Sequence, residues 1–174
     1  MSSRRLHLPL LLLASTLLAA PCQAMLLDEE LDARRLPEPT LETPSDRAAD
    51  TDREAITDYL RANLGEPYRF GATGGREGFD CSGLVLRAYA AAGLEVPRVS
   101  MDQLRIGTKV SLSKLRAGDL LFYRMRRNQQ LLHVAVYVGD GRAIHASVGH
   151  KKVREIDITS KVWSKHLVAA RTLL

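Results

Sequence analysis

One thiol in this chain stands where chemistry is expected. It lies in Phe79-Asp80-Cys81-Ser82-Gly83-Leu84-Val85, between a stretch punctuated by Gly71, Gly74, Gly75 and Gly78 and an apolar run through Ala92. That run reads as a buried helix stopping at Gly93, which puts Cys81 at or near its first turn. Unpaired N–H groups and the positive end of the helix dipole gather there, and both favour an anion. A thiol so placed loses its proton easily. Two histidines follow. His133 opens His133-Val134-Ala135-Val136-Tyr137-Val138, and His145 lies in Ala143-Ile144-His145-Ala146, across Gly139-Asp140-Gly141. That tripeptide is a strong hairpin turn, so the two imidazoles come to neighbouring positions of one sheet. A thiol packed on the sheet would reach the first imidazole, giving nucleophile, base and orienter. The same three residues also have the ligand types of a zinc site. Taken singly, a cysteine at a helix start is more often a small buried hydrophobe, and a strand histidine a satisfied core or edge residue.

The elements that must position these groups follow in order along the chain. Thr51-Asp52-Arg53-Glu54 has capping-box spacing, and Ile56, Tyr59, Leu60 and Leu64 continue at helical spacing to Gly65. The Cys81 helix is next. Ser100 caps a short helix through Met101, Leu104 and Ile106, stopped by Gly107, and Leu115–Asp119 is a turn. From there the pattern changes to strands: Leu120–Tyr123, Leu131–Val138, Ala143–Ala146, Lys152–Ile156 and Val168–Thr172. Helices first and an antiparallel sheet after give an α+β fold.

Composition bounds the setting. Arg4 and Arg5, the apolar stretch Leu8–Ala20 and the small residues around Ala24 read as a signal peptide over residues 1–24. The apolar run is too short for a membrane span of about 20 residues, so the mature chain is expected to carry no transmembrane segment. Pro21 directly before Cys22 disfavours lipidation there. Removal of Cys22 leaves Cys81 as the sole thiol, unable to form an internal disulfide and so either intermolecular or reactive. Residues 25–52 hold three arginines against nine carboxylates, net −6, with Pro37, Pro39 and Pro44, and read as an acidic flexible leader. Residues 53–174 hold 20 basic against 11 acidic side chains, net +9, and are long enough for one domain. A secreted basic domain suits anionic wall polymer or lipid head groups rather than nucleic acid.

The chain resembles the NlpC/P60 family of papain-like cell-wall cysteine peptidases over roughly residues 53–174. The matching pieces occur in the family's order: Gly65-Glu66-Pro67-Tyr68-Arg69-Phe70-Gly71, Phe79–Val85, Val96-Pro97-Arg98, Leu115–Leu120, His133–Gly141 and Ile144-His145-Ala146-Ser147. The resemblance implies a papain-like fold with N-terminal helices packed on an antiparallel sheet. It implies Cys81 as nucleophile, His133 as base and His145 as the third polar residue. It also implies Tyr68 lining the site, and Asp80 and Ser82 framing the cysteine and meeting substrate, with no cofactor and no metal. The expected activity is a peptidoglycan endopeptidase cutting wall stem peptides in the periplasm. The bond is either the D-alanyl–diaminopimelate cross-link, which the architecture favours slightly, or γ-D-glutamyl–diaminopimelate. A non-catalytic wall-binding module, or a thiol amidase or acyltransferase, stays open beside it. A periplasmic adaptor or protease is a further expected partner. Ala72, Ala135 and the basic loop Arg124–Gln130 depart from the family pattern without removing a catalytic group. His150 and His166 match nothing and are expected at the surface, and Trp163 is expected as a core anchor.

Overall fold

The computed structural model describes residues 43–124 and 132–174. The signal peptide, most of the acidic leader and most of the basic loop before His133 lie outside the described residues. Among the described residues there are four α-helices and six strands: α1 Pro44–Ala62, α2 Cys81–Ala91, α3 Ser100–Gln103, β1 Thr108–Lys109, β2 Leu120–Tyr123, β3 His133–Gly139, β4 Arg142–Ser147, β5 Lys152–Asp157, α4 Lys161–Ser164 and β6 Leu167–Thr172. The strands form one sheet in the order β1-β6-β2-β3-β4-β5, with every neighbouring pair antiparallel. The α+β expectation holds.

The first helix begins earlier than its spacing suggested. Thr43, not Thr51, is its cap: the Thr43 hydroxyl accepts from the Asp46 N–H and the Asp46 carboxylate accepts from the Thr43 N–H, with Pro44 in the first turn. Proline suits that place because its missing N–H would be unpaired anyway. Thr51 is interior, and its hydroxyl donates back to the Arg47 carbonyl at 3.0 Å. Residues 44–52 are therefore helical rather than flexible leader.

Packing follows from the strand alternation. Leu120, Phe122, Val134, Val136, Ile144 and Ala146 point to one face, where Ile56 and Leu60 of α1 and Leu84, Val85 and Ala88 of α2 cover them. Leu121, Tyr123, Ala135, Ala143 and Ile156 point to the other, covered by Trp163, Tyr137 and Leu167. Both faces of β2 are buried, so it reads as a continuous apolar run. Between β3 and β4 the turn has φ of 50° at Asp140 and 70° at Gly141. This left-handed pair matches the twist of a tight hairpin. A buried ion pair ties α1 to the start of β2: Arg53 donates to Asp119 at 2.9 Å and to the Ala117 carbonyl at 2.6 Å. Residues 65–68 pair along the outer edge of β5 through Gly65 N–H to Val153 O, Val153 N–H to Glu66 O and Tyr68 N–H to Lys151 O. This covers an edge that would otherwise be open and brings Tyr68 to the mouth of the site.

Candidate active site

Asp80 is the N-cap of α2, with extended backbone and its Oδ1 accepting from the Gly83 N–H at 2.6 Å. Cys81 is consequently the first helical residue. Asp80 does more than cap. Its Oδ2 accepts from the Gly71 N–H at 2.9 Å and from Arg98 Nη2 at 2.7 Å, and its Oδ1 from Arg98 Nη1 at 3.1 Å. Arg98 Nη1 also donates to Ser82 Oγ at 3.0 Å, and Ser82 Oγ to Asp80 Oδ1 at 3.3 Å. One two-pronged guanidinium thus fastens the residues on both sides of the cysteine. Gln103, fully buried, donates to the Ser82 and Pro97 carbonyls. Ser100 Oγ donates to the carbonyl of Leu132, the residue before His133, at 2.5 Å. These contacts join the helix start to the strand start.

The histidines meet as expected. Val136 faces Ile144 across β3 and β4, so His145 and His133 are diagonal neighbours on one face. His133 Nε2 and His145 Nδ1 lie 2.6 Å apart, with the rings nearly perpendicular. Spent on each other, these nitrogens do not converge on a common ion, and no cluster of three metal-ligating side chains forms among the described residues. His133 Nδ1 is the ring nitrogen that this contact does not use. Cys81 lies against β3, where the N–H of Val134 stabilises its thiolate.

The electrostatics differ in one respect from the expectation of a readily acidic thiol. Burial pushes the Cys81 thiol above its ordinary range. The N–H of Val134 opposes this, the Asp80 charge adds to it, and the N–H groups of Ser82 and Cys81 work against it. Helix-terminus donors are present, but desolvation outweighs them. Burial likewise drives His133 down to about 4. His145 is pushed lower by burial, then by His133, Arg154 and His150. Each ion alone is therefore unfavourable. A thiolate beside an imidazolium offsets both penalties through mutual attraction. Tyr68, half-buried, is held in its phenol form by burial, then by the Cys81 and Asp80 charges, so its hydroxyl remains a donor beside both.

The six predicted site residues are thus brought to one end of the sheet. Sequence reasoning passed over three others. Arg98 had a signal, since it ends the Val96-Pro97-Arg98 segment. Arg154 and Trp163 had none tied to the site. Trp163 is a packing residue as expected, but what it packs on is the histidine pair, with ring centroids 4.9 Å from His145 and 6.1 Å from His133. His150 is exposed and His166 half-buried; His166 Nδ1 contacts the Val162 carbonyl.

Residues 65–172 match the NlpC/P60 family. The chain belongs to that family. Its NlpC/P60 domain is 36% identical over 118 residues to murein DD-endopeptidase MepH of Escherichia coli, covering 66% of this chain and 44% of that protein. It is 37% identical to the gamma-D-glutamyl-L-lysine dipeptidyl-peptidase of Bacillus subtilis, over 62% of this chain and 36% of that one. Against the probable endopeptidase NlpC of Escherichia coli the identity is 34%, over 68% of this chain and 76% of the relative. The chain thus spans less than half the length of the first two. Among solved structures, the NlpC/p60 domain of peptidoglycan hydrolase SagA superposes with TM-score 0.58 at 30% identity, over 70% of this chain and 98% of that domain. Peptidoglycan hydrolase RipB of Mycobacterium tuberculosis superposes with TM-score 0.62 at 28% identity, over 85% of this chain and 78% of that one.

Proposed function

We propose that this protein is a peptidoglycan endopeptidase that hydrolyses amide bonds of wall stem peptides through Cys81, His133 and His145. The observation that carries the reading is the His133–His145 contact of 2.6 Å, which leaves Nδ1 of His133 for a thiol seated against the next residue of the same strand. In this mechanism His133 takes the Cys81 proton and the thiolate attacks the scissile carbonyl carbon. The Cys81 N–H is a donor for the oxyanion that forms. His133 then gives its proton to the leaving amine, and water releases the acyl group from sulfur by the reverse sequence. His145 holds the ring of His133. Tyr68, Asp80 and Ser82 line the substrate side, and the Asp80–Arg98 pair fixes the turn that aims the thiol.

The bond favoured is the D-alanyl–diaminopimelate cross-link, with γ-D-glutamyl–diaminopimelate second. Similar proteins are named a murein DD-endopeptidase and a gamma-D-glutamyl-L-lysine dipeptidyl-peptidase. The setting proposed is the periplasm, reached by the signal at residues 1–24. No helix among the described residues is long and apolar enough to cross a membrane. The deciding experiment digests purified sacculi with the full mature chain and identifies the new amino termini by mass. Free diaminopimelate amines released by the wild type and absent with Cys81→Ala support the reading. Binding to sacculi without cleavage overturns it in favour of a wall-binding module.

A further inference from the structure

For His133 to take the thiol proton on Nδ1, its Nε2–H must already point at a lone pair. That lone pair is on His145 Nδ1, 2.6 Å away. A neutral imidazole carries one proton, so the proton of His145 belongs on Nε2 in the working state. His145 is 3% exposed, and its Nε2 is buried with no hydrogen-bond partner among the described residues. A buried donor left unmade is costly.

What stands against this ring is the indole of Trp163. Their centroids are 4.9 Å apart at 78°, an edge-to-face arrangement. An imidazole N–H directed at an indole face is met by the negative side of the aromatic quadrupole. Tyr123 packs edge-to-face on the same indole at 5.0 Å and fixes it from β2. On the other flank, β5 places Arg154 directly opposite His145, and residues so paired share one face of the sheet. Arg154 Nη1 lies 2.7 and 2.9 Å from the two nitrogens of His150, whose Nδ1 also meets Ser147 Oγ at 3.2 Å. The groups that face His145 are thus His133 from β3, Arg154 from β5, His150 from the β4–β5 turn, and Tyr123 from β2 behind the indole. The charges acting on it are those of His133, Arg154 and His150, all cationic when protonated.

We propose that Trp163 and Arg154 are positioning residues that hold His145 neutral, with its single proton on Nε2, so that Nδ1 stays open to His133. Trp163 receives the Nε2–H. Arg154 opposes a second proton, which would close Nδ1 and turn acceptor into donor. The inference rests on the catalytic reading above, but its first test does not need activity. In full chain labelled with ¹⁵N-histidine, the two nitrogens of a neutral imidazole have distinct shifts and report the tautomer directly. The expected result is His145 as the Nε2–H form through neutral and mildly acid pH. Trp163→Leu lowers kcat about tenfold at unchanged KM, whereas Trp163→Phe, which keeps an aromatic face, stays within about threefold. Arg154→Gln moves both the His145 titration and the acid limb of kcat/KM to higher pH, and Arg154→Lys leaves both in place. The proposal is overturned by a wild-type His145 proton on Nδ1. It is also overturned by Trp163→Leu that loses melting temperature alone, or by Arg154→Gln and Arg154→Lys that shift the acid limb equally. A wild-type chain that cuts no wall peptide sinks the function, while the ¹⁵N shifts still decide the tautomer.

Discussion

Replacing Asp80 by Ala tests the idea that one carboxylate builds the turn that presents Cys81. The carboxylate accepts from Gly71 N–H, Gly83 N–H, Ser82 Oγ and both terminal nitrogens of Arg98. Losing an N-cap costs about 1 kcal/mol. The Gly71 N–H left without its acceptor adds about 1–2 kcal/mol. The charge-assisted contact with Arg98 adds about 1.5 kcal/mol, the low end for such bonds, because the Arg98 side chain is 36% exposed and can turn to water while that of Asp80 is 9% exposed. The expected loss is about 4 kcal/mol from a total of about 5–15 kcal/mol, or about 12–20 °C in melting temperature. Asn still caps and still bonds Gly83, so Asp80→Asn costs about half as much. Urea unfolding of Asp80→Asn, Arg98→Met and the double variant isolates the pair, with an expected coupling of about 1–2 kcal/mol. Activity, read below the melting transition, falls further than stability because the turn aims the thiol. An Asp80→Ala cost below about 1 kcal/mol, or a coupling inside the about 0.3 kcal/mol seen for independent sites, means that the Asp80 carboxylate does not build the turn.

Four further outcomes are expected. His133→Ala is nearly as damaging to wall-peptide cleavage as Cys81→Ala, whereas His145→Asn keeps measurable activity and His145→Ala loses more; the double variant Cys81→Ala/His133→Ala is little worse than Cys81→Ala in kcat/KM, since members of one unit do not add. Iodoacetamide alkylation of Cys81 is fast at neutral pH in the wild type, but in His133→Ala it rises only above the ordinary thiol range, because burial raises the thiol pKa and the compensating imidazolium is gone; identical pH profiles for the two forms show that the residues are not paired. Gly83→Ala drives its new Cβ into the Ala72 carbonyl oxygen and to 3.0 Å from Asp80 Oδ1, so it costs about 2 kcal/mol in urea unfolding. Deleting residues 25–41 leaves the Thr43–Asp46 cap intact and turnover of soluble muropeptides unchanged, whereas deleting residues 25–49 removes the cap and costs about 1 kcal/mol in thermal unfolding.

The local parts of this site are legible in short-range sequence signals. A glycine-punctuated stretch giving way at Asp-Cys to an apolar run placed Cys81 at a helix start, because capping and periodicity are short-range properties. Asp140-Gly141 fixed the hairpin that joins His133 to His145, because two positive φ angles in succession suit few other residue pairs. The start of α1 was not decidable in this way. Thr43 and Thr51 each precede an acidic residue at capping distance, and the choice rests partly on Asp50, whose carboxylate meets Arg116 from the far turn before β2. The order of strands, with β6 inserted between β1 and β2, has no local signature either. Arg98 reaches Asp80 from 18 residues away, and Trp163 lies on a histidine pair supplied by two other strands. The balance at the thiol is tertiary for the same reason: helix-end donors can be inferred from a helix start, but the burial that outweighs them exists only once α2 has closed on the sheet.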